Sequence, residues 1–297
     1  MKLFRALAAV AVAAPLLAGC GGGLGSDDGR REVVASFYPL QYVAERVVGE
    51  HAEVTNLTSP GLEPHDLELD VQQTAEVSDA DLAFYQEGFQ PAVDDAIEQN
   101  GPEHVVNVTD IVDLGSPQHD AASAETRDPH FWLDTTSMVE VAYALRNEMS
   151  EVDPEHATDY RANFDSLRND LERLDKEYET GLANCEIDTV VVSHDAFGYL
   201  SEYGLRFRAI NGLSPDAEPS PAHIAQLHEL IESEGITTVF SETLASNEMA
   251  DTIADDLGIT TGVLDPIEGL SDSTADEDYL SLMRKNLAVL QGANRCS

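Results

Sequence analysis

The stretch "DPEHATDYRANFDSLRNDLERLDKEYETGLANC", residues 153–185, decides the fold. It contains no proline after Pro154, and its large apolar and aromatic side chains recur at spacings of three and four: Tyr160, Phe164, Leu167, Leu171, Leu174 and Tyr178. This periodicity predicts one long amphipathic helix. A flexible linker would be rich in Gly, Ser or Pro, and this stretch is not. We therefore predict a rigid connecting helix over residues 153–182 that restricts hinge opening between the two halves of the chain.

Short β-branched runs alternate with helix-like segments on both sides of this helix. The predicted strands are "VVAS" (33–36), "VTNLTS" (54–59), "DLAFYQ" (81–86) and "VVNVT" (105–109) before it, and "TVVVSH" (189–194), "RFRAIN" (206–211), "TTVFSE" (237–242) and "TTGVLD" (260–265) after it. Alternation of this kind favours parallel sheets built from βαβ units. The expected fold class is α/β, with two similar (β/α)4 lobes at 32–152 and 183–297.

The first residues indicate export. Residues 1–19 combine Lys2 and Arg5 with a short apolar run, which is typical of a signal peptide. The "LLAGC" that closes this run resembles the cleavage site of bacterial lipoproteins, which makes Cys20 the lipidated first residue. Residues 20–31 are glycine-rich and predict a flexible tether. We expect an exported, membrane-anchored protein that faces the periplasm or the outside and contacts the bilayer through Cys20.

The net charge excludes one class of partner. The chain has a formal net charge of −40 and sixteen basic residues, of which only three are lysine. No cluster of them could neutralise a nucleic-acid backbone, so we expect no nucleic-acid partner.

Two cysteines remain once Cys20 is assigned to the lipid. In an oxidising compartment Cys185 and Cys296 favour a disulfide that fastens the C-terminal tail. The alternative, two metal-binding thiolates, would require further ligands at suitable spacing, and neither cysteine has any nearby in sequence.

Three of the nine histidines lie in unusual surroundings. His194 follows a buried-looking strand, and Asp265 closes another strand, so both are expected at the carboxyl ends of parallel strands, where open α/β sheets bind ligands. His65 and His130 follow strands of the first half through proline-containing turns. Three imidazoles and a carboxylate between the lobes would suit a transition-metal ion, most naturally tetrahedral zinc.

Five segments, in this order around the long helix, carry a family resemblance: "GLEPHDLEL", "DPHFWLD", "SHDAFGYLSEYGL", "GLSPDAEPSPAHI" and "LDPIEGL". They resemble the zinc and manganese solute-binding proteins of bacterial ABC transporters, the ZnuA/TroA-like family. The resemblance implies one metal per chain, delivered to a membrane permease, with His65, His130, His194 and Asp265 as ligands. Manganese-binding relatives usually have glutamate at the position of His194, so the histidine shifts the expectation from Mn²⁺ to Zn²⁺.

The sequence also indicates residues that could hold the metal ligands in place, and it contains one long polar loop. Side chains that could hold the ligands are Glu63, Asp66, Asp128, Ser193, Asp195 and Glu242, because ligating histidines usually donate their second N–H to an oxygen. Phe131 and Trp132 would exclude water. The loop at 114–128 lacks the long histidine-rich run of many zinc-binding members and contains only His119.

Alternatives from other classes stay open at this point. The first expectation is a monomeric zinc receptor without catalytic turnover, and a metallochaperone is a further possible partner. The alternatives are a manganese- or iron-specific receptor of the same family and a zinc-dependent hydrolase. Four protein ligands argue against the hydrolase, because catalytic zinc sites usually keep one position open. Cell adhesion is expected only as a side activity.

Overall fold

The computed structural model describes residues 30–115 and 127–297, so the predicted signal peptide, Cys20 and His119 lie outside the described residues. The N-terminal half contains four parallel strands that pair in the order β2-β1-β3-β4. These strands are β1 (Arg31–Ala35), β2 (Ala52–Asn56), β3 (Leu82–Tyr85) and β4 (His104–Asn107). Four helices accompany them: α1 (Tyr38–Val48), α2 (Val71–Asp79), α3 (Pro91–Asn100) and α4 (Thr135–Val152).

The C-terminal half repeats the same sheet. Its strands are β5 (Thr189–Val192), β6 (Arg206–Ala209), β7 (Thr238–Ser241) and β8 (Thr260–Val263), and they pair in parallel in the order β6-β5-β7-β8. The helices are α6 (Pro221–Glu234), α7 (Glu248–Leu257) and α8 (Tyr279–Asn294). All eight predicted strands are present, so the prediction of two similar parallel α/β lobes is confirmed.

The connecting helix is α5 (Ala157–Gly181). The six apolar and aromatic residues that predicted it are all buried. The helix begins later than residue 153, because Pro154 opens a separate 3-10 turn, Pro154–His156, before it. One other prediction differs in type. The helix-like segment after His194 is a 3-10 helix, Phe197–Tyr203, which Gly204 ends in a left-handed conformation at φ 90°.

One hydrophobic core extends through both lobes. On β1, Val33 belongs to this shared core, whereas Val34 faces a smaller cluster under α2 and α3. On β5, Val190 belongs to the shared core and Val191 faces a cluster under α6 and α7. Because successive strand residues point to opposite faces, each sheet is covered on both sides. Helices α1, α4, α5 and α8 supply residues to the shared core, so the lobes are joined by packing as well as by the connecting helix.

The C-terminal helix was not predicted from the sequence. Helix α8 packs along α5, and the Tyr178 hydroxyl donates to the Met283 carbonyl at 2.7 Å. Cys185 and Cys296 form a disulfide just beyond these two helices, so the predicted pairing is confirmed. Within residues 30–115 and 127–297, no helix has the length and apolar character needed to cross a bilayer.

Candidate metal centre

Three histidines and one glutamate meet between the lobes. His65 lies in the 3-10 turn Pro64–Asp66 after β2, and His130 directly precedes the 3-10 turn Phe131–Leu133. His194 follows β5, and Glu268 lies in the loop after β8. The four side chains each offer a ligand atom, and these atoms all lie within 4.8 Å of one another. His130, His194 and Glu268 are fully buried, and His65 is nearly so.

Four of the six distances between the ligand atoms match the edges of a tetrahedral metal site. Glu268 Oε1 lies 3.4 Å from His65 Nε2, 3.2 Å from His130 Nε2 and 3.3 Å from His194 Nε2. The Nε2 atoms of His130 and His194 are 3.2 Å apart. A tetrahedron with metal–ligand bonds of about 2.0–2.1 Å has edges of about 3.3–3.4 Å. The residues are therefore spaced as ligands that share one small ion.

Unsatisfied polar atoms lead to the same conclusion. His65 Nε2 and both carboxylate oxygens of Glu268 are buried without a hydrogen-bond partner among the described residues. Buried polar atoms are nearly always paired, and an ion that binds there is one accepted explanation for exceptions. The chemistry of the group, neutral imidazoles with one carboxylate, fits a divalent transition metal.

Carboxylates behind two of the histidines fix the orientation of their rings. His130 Nδ1 lies 2.7 Å from Asp128 Oδ1, and His194 Nδ1 lies 2.6 Å from Glu242 Oε1. With the proton on Nδ1, each ring donates to its carboxylate and presents a free Nε2 to the centre. Glu242 also accepts the Ser193 hydroxyl and the His194 backbone N–H, so its position is fixed in turn.

Two of the other supporting residues lie beside the site. Glu63 Oε1 accepts the backbone N–H of His65 at 3.1 Å and so stabilises the turn that carries this ligand. Asp195 is buried, and its backbone N–H donates to the Gly212 carbonyl at 2.9 Å. Asp66 belongs to the same 3-10 turn as His65.

The site concentrates charge that a cation or protons must balance. Burial raises the pKa of Glu268, but the facing histidines, His194 first, outweigh it and hold the pKa well below the usual range. Burial opposes protonation of His194, yet Glu242 and Glu268 raise its pKa well above the ordinary value. The pKa of His130 is raised against burial by Asp128 and Glu268. Burial lowers the pKa of His65. Without a metal, protons are therefore retained between the carboxylates, and a bound metal would displace them.

Asp265, the carboxylate expected as a ligand, is not one of the four converging groups. Its Oδ1 accepts the backbone N–H of Ile267 at 2.8 Å, and its Oδ2 accepts the Thr243 hydroxyl at 3.2 Å. Burial raises its pKa to about 6. Ile267 has φ 61°, a left-handed conformation that is rare for a β-branched residue. Asp265 thus holds the turn that brings Glu268 inward, and Glu268 replaces it in the candidate ligand set.

The aromatic side chain of Trp132 packs beside the metal centre. Trp132 is fully buried, with its ring 5.2 Å from the His130 ring, and its Nε1 donates to the Pro266 carbonyl at 2.7 Å. The Tyr279 hydroxyl donates to the Trp132 carbonyl at 2.5 Å. The two hydrogen bonds join Trp132, two residues after His130, to the loop of Glu268 and to α8 in the second lobe. The expected role of Trp132 in excluding water agrees with its burial.

The described ends of the 114–128 loop lie beside the site. The backbone N–H of Asp128 donates to the Gly115 carbonyl at 2.8 Å. The Tyr199 hydroxyl accepts the Gly115 N–H at 2.9 Å and donates to the Asp128 carbonyl at 3.0 Å. The two described ends of the loop therefore lie next to each other. Their hydrogen bonds also hold Asp128 in place behind His130.

Fold and site together define a two-lobed α/β protein with a preorganised three-histidine, one-carboxylate centre between its lobes. The family described as ZnuA, zinc-uptake complex component A, periplasmic, matches residues 33–293. The chain belongs to this family, which confirms the resemblance seen in the sequence.

Two relatives give the scale of the similarity. The zinc-binding lipoprotein AdcA of Streptococcus pneumoniae is 32% identical over 279 residues, which cover 89% of this chain and 56% of AdcA. The high-affinity zinc uptake system protein ZnuA of Bacillus subtilis is 32% identical, with 98% of this chain and 97% of that protein covered. This chain therefore spans about half the length of AdcA but nearly all of ZnuA.

Solved structures share the two-lobed architecture. The Zn(II)-bound ZnuA-like domain of S. pneumoniae AdcA superposes with a TM-score of 0.77 at 31% identity, covering 90% of this chain and 99% of the domain. The laminin-binding adhesin Lmb of Streptococcus agalactiae, in a mutant structure, gives 0.81 at 27% identity, covering 89% and 99%.

Proposed function

We propose that this protein is the zinc receptor of an ABC-type importer. It binds one Zn²⁺ per chain through His65, His130, His194 and Glu268 and delivers the ion to a membrane permease. The observation that carries the proposal is the convergence of four buried ligand atoms within 4.8 Å of one another, with four of the six interatomic distances at 3.2–3.4 Å, as in a tetrahedral site. Zinc uptake and zinc binding in the named relatives support the choice of metal.

Ligand chemistry favours zinc over manganese. Three imidazole nitrogens with one carboxylate suit zinc, whereas Mn²⁺ favours oxygen-rich sites. The metal is the cargo of this protein, and four protein ligands complete a tetrahedron around it. A catalytic zinc would need an open position for water, so the arrangement supports a receptor and counts against a hydrolase.

Membrane anchorage is part of the proposal. The lipoprotein-like "LLAGC" before the folded part supports attachment through Cys20, and a named relative is a zinc-binding lipoprotein. We infer that the lobes lie outside the cytoplasm and remain near their permease. The likeness to a laminin-binding adhesin supports adhesion as a side activity, which binding of laminin by the full chain would test.

A matched pair of substitutions tests the ligand set. Glu268→Gln removes the proposed carboxylate ligand with little change of volume, and Asp265→Asn makes the same change three residues earlier. Zinc titrated into apo protein should bind with one-to-one stoichiometry, and Glu268→Gln should weaken binding far more than Asp265→Asn. A larger loss in Asp265→Asn would restore Asp265 as the ligand, and unaltered binding in both variants would refute the site.

A further inference from the structure

A groove on the back of the first lobe has no role in zinc binding. It runs between α4 and α5 with a volume of about 960 Å³. Much of its lining is apolar or aromatic, including Phe164 and the half-exposed Tyr143. Three arginines, Arg146, Arg161 and Arg168, also line it, together with two acidic residues, Glu140 and Asp165. Apolar pockets of this size with a few charged groups are typical ligand sites.

Two of these arginines have no carboxylate partner within the described part of the chain. Arg168 pairs with Asp165 and Glu172, but no ion pair of Arg146 or Arg161 is formed there. The Arg146 guanidinium instead lies over the Tyr143 ring at 4.6 Å, and its Nε is buried without a hydrogen-bond partner. In a chain with 56 acidic and 16 basic residues, unpaired arginines are conspicuous. Arginine binds phosphate through paired N–H donors, so two arginines without carboxylate partners in one groove suit a phosphate by their chemistry.

The proposed anchor places this groove close to a bilayer. Arg31 pairs with Ala52 in the sheet, and the adjacent His51 lies 3.1 Å from Asp159 in the first turn of α5. The first described residues therefore lie at the same end of the lobe as Arg161, which lines the groove. Ten residue steps separate Cys20 from Arg30. Fully extended, they span at most about 35 Å. Headgroups are thus presented to the groove at high effective concentration.

We propose that the α4–α5 groove binds the phosphate of an anionic phospholipid in the membrane that anchors the chain. Arg146 and Arg161 contact the phosphate, and Tyr143 and Phe164 contact the glycerol and upper acyl region. Elsewhere the acidic surface repels anionic headgroups, although salt limits that repulsion to about 8 Å. Docking through the groove would therefore fix which face of the protein lies on the membrane. This inference rests on the anchorage proposed above.

The test uses the acylated mature chain on vesicles. Neutral phosphatidylcholine vesicles are compared with vesicles that also contain phosphatidylglycerol, and hydrogen exchange is followed in the segments 139–147 and 161–168. Exchange in both segments should slow on the anionic vesicles only. Arg146→Gln and Arg161→Gln should each weaken this response about fivefold, the effect of one arginine at an anionic surface. Arg206→Gln, which removes an exposed arginine paired with Asp188 in the second lobe, is the control.

The following results would overturn the groove inference or one of the proposals it rests on. Equal exchange on both kinds of vesicle, or an equal loss in Arg206→Gln, overturns the groove inference. Equal slowing by inorganic phosphate or by an acidic peptide on neutral vesicles overturns the assignment to lipid. Failure of the chain to float with either vesicle overturns the anchorage and the groove inference together. Unchanged zinc affinity and thermal unfolding in both variants would show that a lost response does not come from misfolding.

Discussion

Replacement of Glu242 by glutamine should change both the strength of zinc binding and its dependence on pH. Glu242 Oε1 lies 2.6 Å from His194 Nδ1, and both side chains are almost fully buried. The glutamine amide oxygen can still accept the ring N–H, so the main loss is the negative charge behind the ring. Loss of such an outer partner typically weakens metal binding 10–100-fold, or about 1.4–2.8 kcal/mol.

The same substitution also has a second effect, which favours zinc binding. Although burial opposes it, the Glu242 charge raises the pKa of His194, so zinc must displace a proton from this ring in the apo protein. Glu242→Gln removes part of this competition. The loss of zinc affinity should therefore be greatest near pH 8 and shrink toward about pH 6, where proton competition limits the wild type most.

The assay is zinc affinity by competition with a chelator across this pH range. Glu148→Gln provides the matched control, because Glu148 lies 2.6 Å from His104 Nδ1 in a half-exposed pair away from the site. The reasoning fails if the two variants lose affinity equally, or if the loss in Glu242→Gln is the same at every pH.

Three further outcomes are expected. Zinc affinity of the wild type should fall steadily from about pH 8 to pH 5 because protons compete for raised-pKa imidazoles, and a pH-independent affinity would indicate an oxygen-dominated site. His194→Glu should shift the zinc-to-manganese affinity ratio toward manganese, and an unshifted ratio would count against the part assigned to this imidazole. Removal of the disulfide, by Cys185→Ser with Cys296→Ser, should lower the free energy of unfolding by about 4–5 kcal/mol for a bridge that spans 111 residues. Denaturant titration checks the last outcome, and a loss below about 1 kcal/mol would mean that the tail is held without the bridge.

Much of the fold could be predicted from local patterns. The β-branched runs place the central strands β1, β3, β5 and β7 because a strand buried on both faces has a continuous apolar sequence. The spacing from Tyr160 to Tyr178 determines which face of α5 is buried, since tertiary packing uses the face that the sequence makes apolar. The pattern in α8 was equally readable: Leu280, Met283, Leu287 and Leu290 are all buried. Its packing against α5, and the core that both lobes share, depend on long-range contacts that no local pattern specifies.

In the candidate site, too, local sequence patterns did not indicate one of the residues. His65, His130 and His194 were found because strand ends and a family resemblance both indicated them. The fourth group was predicted at Asp265, yet in the structure Glu268 of the same "LDPIEGL" segment is the carboxylate that converges with the three histidines. The left-handed Ile267 reverses the chain between the two carboxylates, and nothing in the residue type announces this conformation. The segment contains two carboxylates, Asp265 and Glu268, and its sequence does not say which one turns toward the histidines.

Anomalous diffraction at the zinc absorption edge, from crystals of the zinc-loaded protein, tests the central claim most directly. The account predicts a single peak in the interlobe site, about 2.0–2.2 Å from His65 Nε2, His130 Nε2, His194 Nε2 and a Glu268 oxygen. A peak bound by Asp265 instead of Glu268, or a zinc ion held away from the three histidines, would contradict it.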